Sequence, residues 1–335
     1  MTDLNRLLKG TARSLYLSAR LLPTSMRDTF CVAYLLCRYA DTIADTALLP
    51  AEKRLHWVSL FPACVEKEDA HVLDGLAAEI APSQQNIHEK ELLQNLPLCL
   101  QAYQKIPAPQ KEAVLQVVRA VCDGMEIDLR TFPNEKSGQI KAFETPAELE
   151  NYCHLMGGAP GLFWSKLLVQ TQAVTYHPNI FLPLGQDIGD ALQIVNILRD
   201  LPRDLRIGRC YIASDDLVEE GIIASDLLKP QFAPQFEPVK RKWIGWARQK
   251  LASAQRYFEG ISLKQPANRA AVAWPVLWAA DTLNLLEQEK NLLDPAVRVK
   301  ISRARVYGTM LLTPPLLLSS ELFGLCLKHK LYGEK

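Results

Sequence analysis

Gln193-Ile-Val-Asn-Ile-Leu-Arg-Asp-Leu-Pro-Arg-Asp204 decides how this chain of 335 residues is read. On an α-helix, side chains three and four residues apart share a face. Gln193, Asn196, Asp200 and Asp204 therefore fall within about 80° of arc, and aliphatic residues cover most of the remainder. Two amides and two carboxylates on the polar stripe of a largely buried helix need a partner to offset their desolvation. Arg199 points away from the stripe; Arg203, Arg206 and Arg209 follow it, and then Tyr211. The carboxylates and Asn196 suit Mg²⁺, a hard cation that keeps some waters and bridges a few carboxylates to substrate phosphates. The arginines suit free phosphate oxygens. A charged, solvated helix end is the competing reading, and Gln193 and Asn196, set among Ile, Val and Leu, count against it. Pro202 has no N–H and its ring strikes the carbonyl four residues back, which predicts that 202–216 leaves the helix.

A second stretch, Phe30-Cys-Val-Ala-Tyr-Leu-Leu-Cys-Arg-Tyr-Ala-Asp-Thr-Ile-Ala-Asp45, repeats the arrangement. Tyr34, Arg38, Asp41 and Asp45 stand at i, i+4, i+7 and i+11, within about 60° on an otherwise apolar helix. Each stretch thus places an Asp-x-x-x-Asp pair on one face. The chain has 17 aspartates, enough for such a spacing to occur by chance about once, so the surrounding residues carry the inference. An exposed last turn with a local Arg38–Asp41 ion pair is the alternative here.

Around these stripes the signals are helical, near 3–21, 25–46, 51–67, 85–104, 109–130, 146–172, 178–201, 236–259, 266–289 and 298–331, with a polar loop at 131–144. No βαβ alternation and no Gly-x-Gly-x-x-Gly occurs, which argues against a Rossmann nucleotide domain. Nothing in the composition marks a boundary, so one all-α domain spanning 1–335 is expected. The net charge of +1 gives no overall pull toward nucleic acid or an anionic membrane, and any phosphate affinity must be local. Eight scattered cysteines without a Cys-x-x-Cys pair suggest reduced thiols in a cytoplasmic protein rather than zinc ligands or disulfides. No secretory signal opens the sequence. Val306 to Leu327 is apolar and long enough to span a bilayer, but Pro314-Pro315 interrupts it and Glu321 lies inside it. It reads as a terminal helix closing the core, with a peripheral membrane contact left open.

With both stripes read, the chain resembles the squalene/phytoene synthase family of head-to-head prenyltransferases over nearly its whole length. Arg13-Ser-Leu-Tyr-Leu-Ser-Ala-Arg-Leu-Leu-Pro23 is similar to the family's first helix, and Tyr34 to Asp45 to its first aspartate motif. Cys122 to Leu129 and Tyr152-Cys-His-Leu-Met-Gly-Gly-Ala-Pro-Gly161 are similar to its central helices. Gln193 to Asp204, with Gly208-Arg-Cys-Tyr211, resembles its second aspartate motif. The resemblance implies an isoprenoid-synthase-type helical bundle around a central cavity. It implies that Asp41, Asp45, Asn196, Asp200 and Asp204 hold Mg²⁺ on the diphosphate of farnesyl diphosphate. Arg38, Gln193, Arg199, Arg209 and Tyr211 would bind substrate, and Tyr34 and Tyr152 would act at the reacting carbons with Asp41 and Asp200. A phenol beside a carbocation offers a π face and is less readily alkylated than a carboxylate. The alternative reading of each tyrosine is a core aromatic with a satisfied hydroxyl. Gly157-Gly-Ala-Pro-Gly161 is either a loop between helices or, by the resemblance, a broken helix whose small residues leave room for a prenyl chain.

Within the family, squalene synthases reduce the cyclopropyl intermediate, presqualene diphosphate, with NADPH; phytoene and dehydrosqualene synthases lose a proton instead. Squalene synthases carry a basic stretch of the type Val-Lys-Ile-Arg-x-Gly. Here Val299-Lys-Ile-Ser-Arg-Ala-Arg-Val-Tyr-Gly308 keeps Lys300, displaces the arginine to Arg303 and Arg305, and puts Ala304 at the glycine position. These three cations are the expected NADPH site, which favours squalene synthase. Dehydrosqualene, phytoene or presqualene diphosphate synthase is the alternative, as is a basic surface turn. An inactive scaffold relative and an all-α terpene cyclase also stay open; the completeness of both aspartate motifs counts against the former, and the second motif with the Tyr152 segment against the latter.

Overall fold

The computed structural model describes residues 2–11, 22–46, 48–69, 71–132, 135 and 137–333. Of the Arg13–Pro23 segment only Leu22 and Pro23 fall among them. Two compact units are distinguished, one of Met1–Arg130 with Phe163–Gln172, the other of Thr131–Leu162 with Ala173–Lys335. All eight cysteines are free thiols.

The first unit contains α1 (Thr2–Thr11), α2 (Thr24–Asp45), α3 (Ala51–Lys67), α4 (Asp74–Ile80), α5 (Ile87–Gln94), α6 (Leu96–Gln104) and α7 (Ala108–Thr131). Leu35, Leu36, Tyr39, Ala40 and Ile43 bury the apolar side of α2, with Tyr39 stacked on Phe61 at 5.2 Å. The α2 carbonyls run out of helical partners at its end. Buried Arg54 donates to Ala44 O at 2.7 Å and so satisfies one of them. The single helix expected over 85–104 is two, because Pro97 in the first turn of α6 cannot donate to residue 93. The short α4 carries little periodicity of its own and is absent from the sequence reading.

The second unit runs β1 (Lys141–Phe143), α8 (Pro146–Cys153), a π-helical turn (His154–Gly158), the start of α9 (Ala159–Gln170), α10 (Pro178–Asp204), a 3₁₀ turn (Leu205–Ile207), β2 (Arg209–Ala213), α11 (Ser214–Glu219), α12 (Ala233–Gly260), α13 (Pro266–Gln288), α14 (Arg303–Leu318) and α15 (Ser320–Tyr332). The strands pair in parallel, Lys141 with Arg209 and Ala142 with Cys210, then slip so that Phe143 meets Ala213. This pairing lies in stretches read from sequence as coil. α10 packs against α12, where Phe181 stacks on Tyr257 at 4.2 Å.

Three expectations are corrected. α10 does not stop before Pro202 but continues to Asp204. Pro202 forfeits one hydrogen bond in the last turn, while Leu198, Leu201 and Pro202 itself are buried and hold the helical path. The Gly157–Gly161 stretch is neither a loop nor a break: a π turn joins α8 to α9 in one helical run. Its glycines are used for backbone approach, since a Cβ on Gly157 would run into the Gly189 carbonyl oxygen and lie 2.7 Å from Gln193 Cβ. The helix expected over 298–331 begins only at Arg303 and breaks at Ser319, not at Pro314-Pro315. Ser302 and Ser319 each accept a backbone N–H at 3.2 Å as N-caps, which sets these boundaries.

Candidate active site

Each unit carries one carboxylate pair. On α2, Tyr34, Arg38 and Asp41 are half-buried and Asp45 is exposed. Arg38 is ion-paired to Asp41 one turn on and reaches Glu89 of α5 at 3.1 Å. The Tyr34 hydroxyl donates to Thr11 O at 3.0 Å, so this phenol is satisfied by the end of α1. Burial, with the charges of Asp45 and Glu89, pushes the Asp41 carboxyl up to about 6 although Arg38 pulls the other way.

On α10, the extension past Pro202 keeps Asp200 and Asp204 in the i, i+4 relation the stripe requires. Arg199 departs from the sequence expectation. Its guanidinium folds back around Asp200, Nε to Oδ1 at 2.9 Å and Nη2 to Oδ2 at 2.6 Å, a two-pronged fork. Asp204 is raised to about 6, first by burial and then by Asp200, against the pull of Arg209, Arg203 and Arg199. Arg209, at the start of β2, is ion-paired at 3.2 Å with Glu135. Gln193 is half-buried and Asn196 exposed on the same helix.

The π turn and the two strands bring tyrosines 59 residues apart into contact. Tyr152 and Tyr211 stack with centroids 4.9 Å apart and hydroxyls 3.5 Å apart, both buried. Phe143 and Phe132 close on Tyr211 at 5.7 and 5.0 Å, making a four-ring aromatic cluster. Sequence reasoning missed Phe132 and Phe143, because both lie at the edge of, or inside, a segment read as loop; alternation over Lys141–Phe143 is too short to signal a strand. It also missed Glu89 and Glu135, the acidic partners of Arg38 and Arg209, which only tertiary packing supplies.

Lys300 and Arg303 stand exposed before and at the start of α14, but Arg305 lies 3.5 Å from the carboxylate of Asp281, which is buried on α13 and also takes Lys330 at 2.6 Å. Of the three cations, Arg305 is thus engaged by Asp281, while Lys300 and Arg303 have no carboxylate partner among the described residues and stand exposed.

The donor set does fit Mg²⁺. Among the described residues no three His, Cys, Asp or Glu side chains converge as a closed metal cluster. Asp41 and Asp204, each raised first by burial and then by the aspartate paired with it, instead mark places where a desolvated carboxylate lies beside a like charge and a cation relieves both. Two protein carboxylates with water and substrate phosphate are the usual Mg²⁺ environment. Asp41 with Asp45, and Asp200 with Asp204 and Asn196, would hold it; bound there it would neutralise diphosphate oxygens as a leaving group departs.

A family model described as squalene/phytoene synthase matches residues 8–305. Presqualene diphosphate synthase of Zymomonas mobilis is 29% identical over 70% of this chain and 66% of its own length. A bifunctional lycopene cyclase/phytoene synthase of Pyrenophora tritici-repentis is 25% identical over 77% of this chain and 42% of its own. The chain thus spans less than two thirds of either relative. The structure of TcSQS with the ligand BPH1237 superposes with a TM-score of 0.79 at 18% identity, covering 100% of this chain and 92% of that one, so the architecture is the all-α isoprenoid-synthase type. The chain belongs to the squalene/phytoene synthase family. Members of that family are prenyltransferases that bind prenyl diphosphates, typically with a divalent metal.

Proposed function

We propose that this protein condenses two farnesyl diphosphates head to head, with Mg²⁺, to the cyclopropane presqualene diphosphate. The observation that carries this reading is the pair of Asp-x-x-x-Asp faces, each with an arginine on its first aspartate and with one carboxyl, Asp41 or Asp204, pushed up to about 6. Arg38 on the one face, and Arg199 and Arg209 on the other, receive charge from a departing diphosphate, and Mg²⁺ held by the carboxylates would add to that stabilisation. Gln193 orients the polar head, and the hydroxyls and π faces of Tyr34, Tyr152 and Tyr211 meet positive charge and accept the proton lost on ring closure. Similarity to the presqualene diphosphate synthase of Zymomonas mobilis supports a product at the cyclopropyl stage.

A second reading, reduction onward to squalene with NADPH, draws support from Lys300 and Arg303, exposed at the amino end of α14. Incubation with farnesyl diphosphate and Mg²⁺, with and without NADPH, separates the two. Presqualene diphosphate under both conditions upholds the first reading; squalene only with NADPH replaces it with the second. No prenyl condensation under either condition refutes both and leaves the scaffold reading.

A further inference from the structure

Helix α14 turns its larger apolar side chains outward, and α15 is apolar on both faces. On α14, Tyr307, Leu311, Pro314 and Leu318 stand at i, i+4, i+7 and i+11, a stripe within roughly 60° of arc. That stripe faces solvent, with Leu311 80% and Leu318 75% exposed and Leu312 beside it at 69%. The inward face carries threonines instead: Thr309 and Thr313 are buried, and Thr313 accepts from Trp274 Nε1 at 3.0 Å. On α15, Phe323, Leu327 and Leu331 are buried, yet Leu322, Leu325 and Tyr332 are exposed on the other side. Single exposed leucines are ordinary; a row of them on two neighbouring helices marks a surface with a partner.

Charge identifies the partner. Residues 298–333 contain six basic residues, Arg298, Lys300, Arg303, Arg305, Lys328 and Lys330, against one acidic residue, Glu321. This segment is therefore net +5 in a chain of net +1. Asp281 engages Arg305 and Lys330, while Arg298, Lys300, Arg303 and Lys328 stand exposed at the two ends of the apolar stretch. A second copy would dock this patch against itself, +5 on +5, which the symmetry of a two-fold contact makes repulsive. An anionic bilayer offers apolar chains to the leucines and negative headgroups to the flanking cations. Among the described residues no helix is long and apolar enough to cross a membrane, so the helices lie along it.

We propose that α14 and α15 dock the protein in the plane of an anionic lipid surface through Tyr307, Leu311, Leu318, Leu322 and Leu325, with Lys300, Arg303 and Lys328 on the headgroups. The test uses the full chain and sedimentation with vesicles of pure phosphatidylcholine or with about one third phosphatidylglycerol. Three proteins are compared: wild type, Leu311→Ser/Leu318→Ser, and Lys300→Gln/Arg303→Gln/Lys328→Gln, each checked for unchanged circular dichroism. Wild type is expected to bind the anionic vesicles and to be released by salt. The leucine pair should lower partitioning at least tenfold. Loss of the three cations should lower it by about fivefold per charge on anionic vesicles only. Absence of binding to either vesicle, or equal binding by all three proteins, overturns the proposal. So does a concentration-dependent dimer of the wild type that the leucine pair abolishes, which would make the patch a self-association surface.

Discussion

Replacing Gly157 by alanine tests whether close backbone approach, rather than space for substrate, is what its missing side chain provides. The added Cβ would lie 2.7 Å from Gln193 Cβ and 2.9 Å from the Gly189 carbonyl carbon, while comfortable carbon contacts lie at about 3.5–4.0 Å. The π turn and α10 must therefore part by about 1 Å. Overpacking of this kind costs roughly 1–3 kcal/mol, and alanine returns about 0.5–1 kcal/mol of helical backbone entropy. The net is a loss centred at about 1 kcal/mol and reaching about 2.5 kcal/mol. Gly245→Ala is the matched control: it sits inside α12 with nothing within 4 Å of the added Cβ, so only the entropic gain of about 0.5–1 kcal/mol remains. Urea unfolding at equal slope should show the midpoints moving in opposite directions. In heat, with unfolding entropy scaling with the 335 residues, each kcal/mol is worth about 1.5 °C. Turnover should follow packing: a 1 Å displacement of the Gln193 face costs about a hundredfold in rate, whereas Gly245→Ala leaves it unchanged. Unchanged stability of Gly157→Ala would refute the packing account, and a fall in turnover at that unchanged stability would return the position to a role in making room for substrate.

Turnover of farnesyl diphosphate should vanish in EDTA and return with Mg²⁺, and Asp41→Asn or Asp200→Asn should each lower it about a hundredfold or more while thermal unfolding stays near wild type; activity in chelator would end the metal reading. The carboxyls of Asp41 and Asp204, raised to about 6, bind protons more tightly folded than unfolded. Their contribution to stability is therefore full below the unfolded pKa of about 4 and is lost as pH rises through about 6. Metal-free protein should consequently show a loss across pH 4–6.5 that Asp41→Asn and Asp204→Asn each reduce, and Mg²⁺ should stabilise more at pH 7.5 than at pH 5, as thermal shifts at the two pH values will show. Asp281→Asn leaves Lys330 and Arg305 without their shared carboxylate and should cost about 1.5–3 kcal/mol in urea unfolding, with no change in prenyl condensation.

Periodicity made most of the helices legible, because apolar residues at three- and four-residue spacing have to be buried together wherever the helix ends up. The same spacing placed Asp41 with Asp45 and Asp200 with Asp204, since neighbours on one helix need no tertiary information to be neighbours. Cap chemistry was less readable: Ser302 and Ser319 compete with prolines at 314 and 315 as boundary signals, and the structure gives the boundaries to the serines. Pro202 misled because its cost is one local hydrogen bond, outweighed by burial that local sequence does not display.

What the sequence determined by itself is thus the all-α class and the two aspartate faces, both properties of local geometry repeated along a chain. The tertiary structure decided the rest. It folded Arg199 back onto Asp200, supplied Glu89 to Arg38 and Glu135 to Arg209, and committed Arg305 to Asp281. It also stacked Tyr152 on Tyr211 across a two-strand pairing no periodicity announces, and turned the leucines of α14 toward solvent. Each depends on which distant residue arrives at a given face, a choice made by packing the whole unit at once.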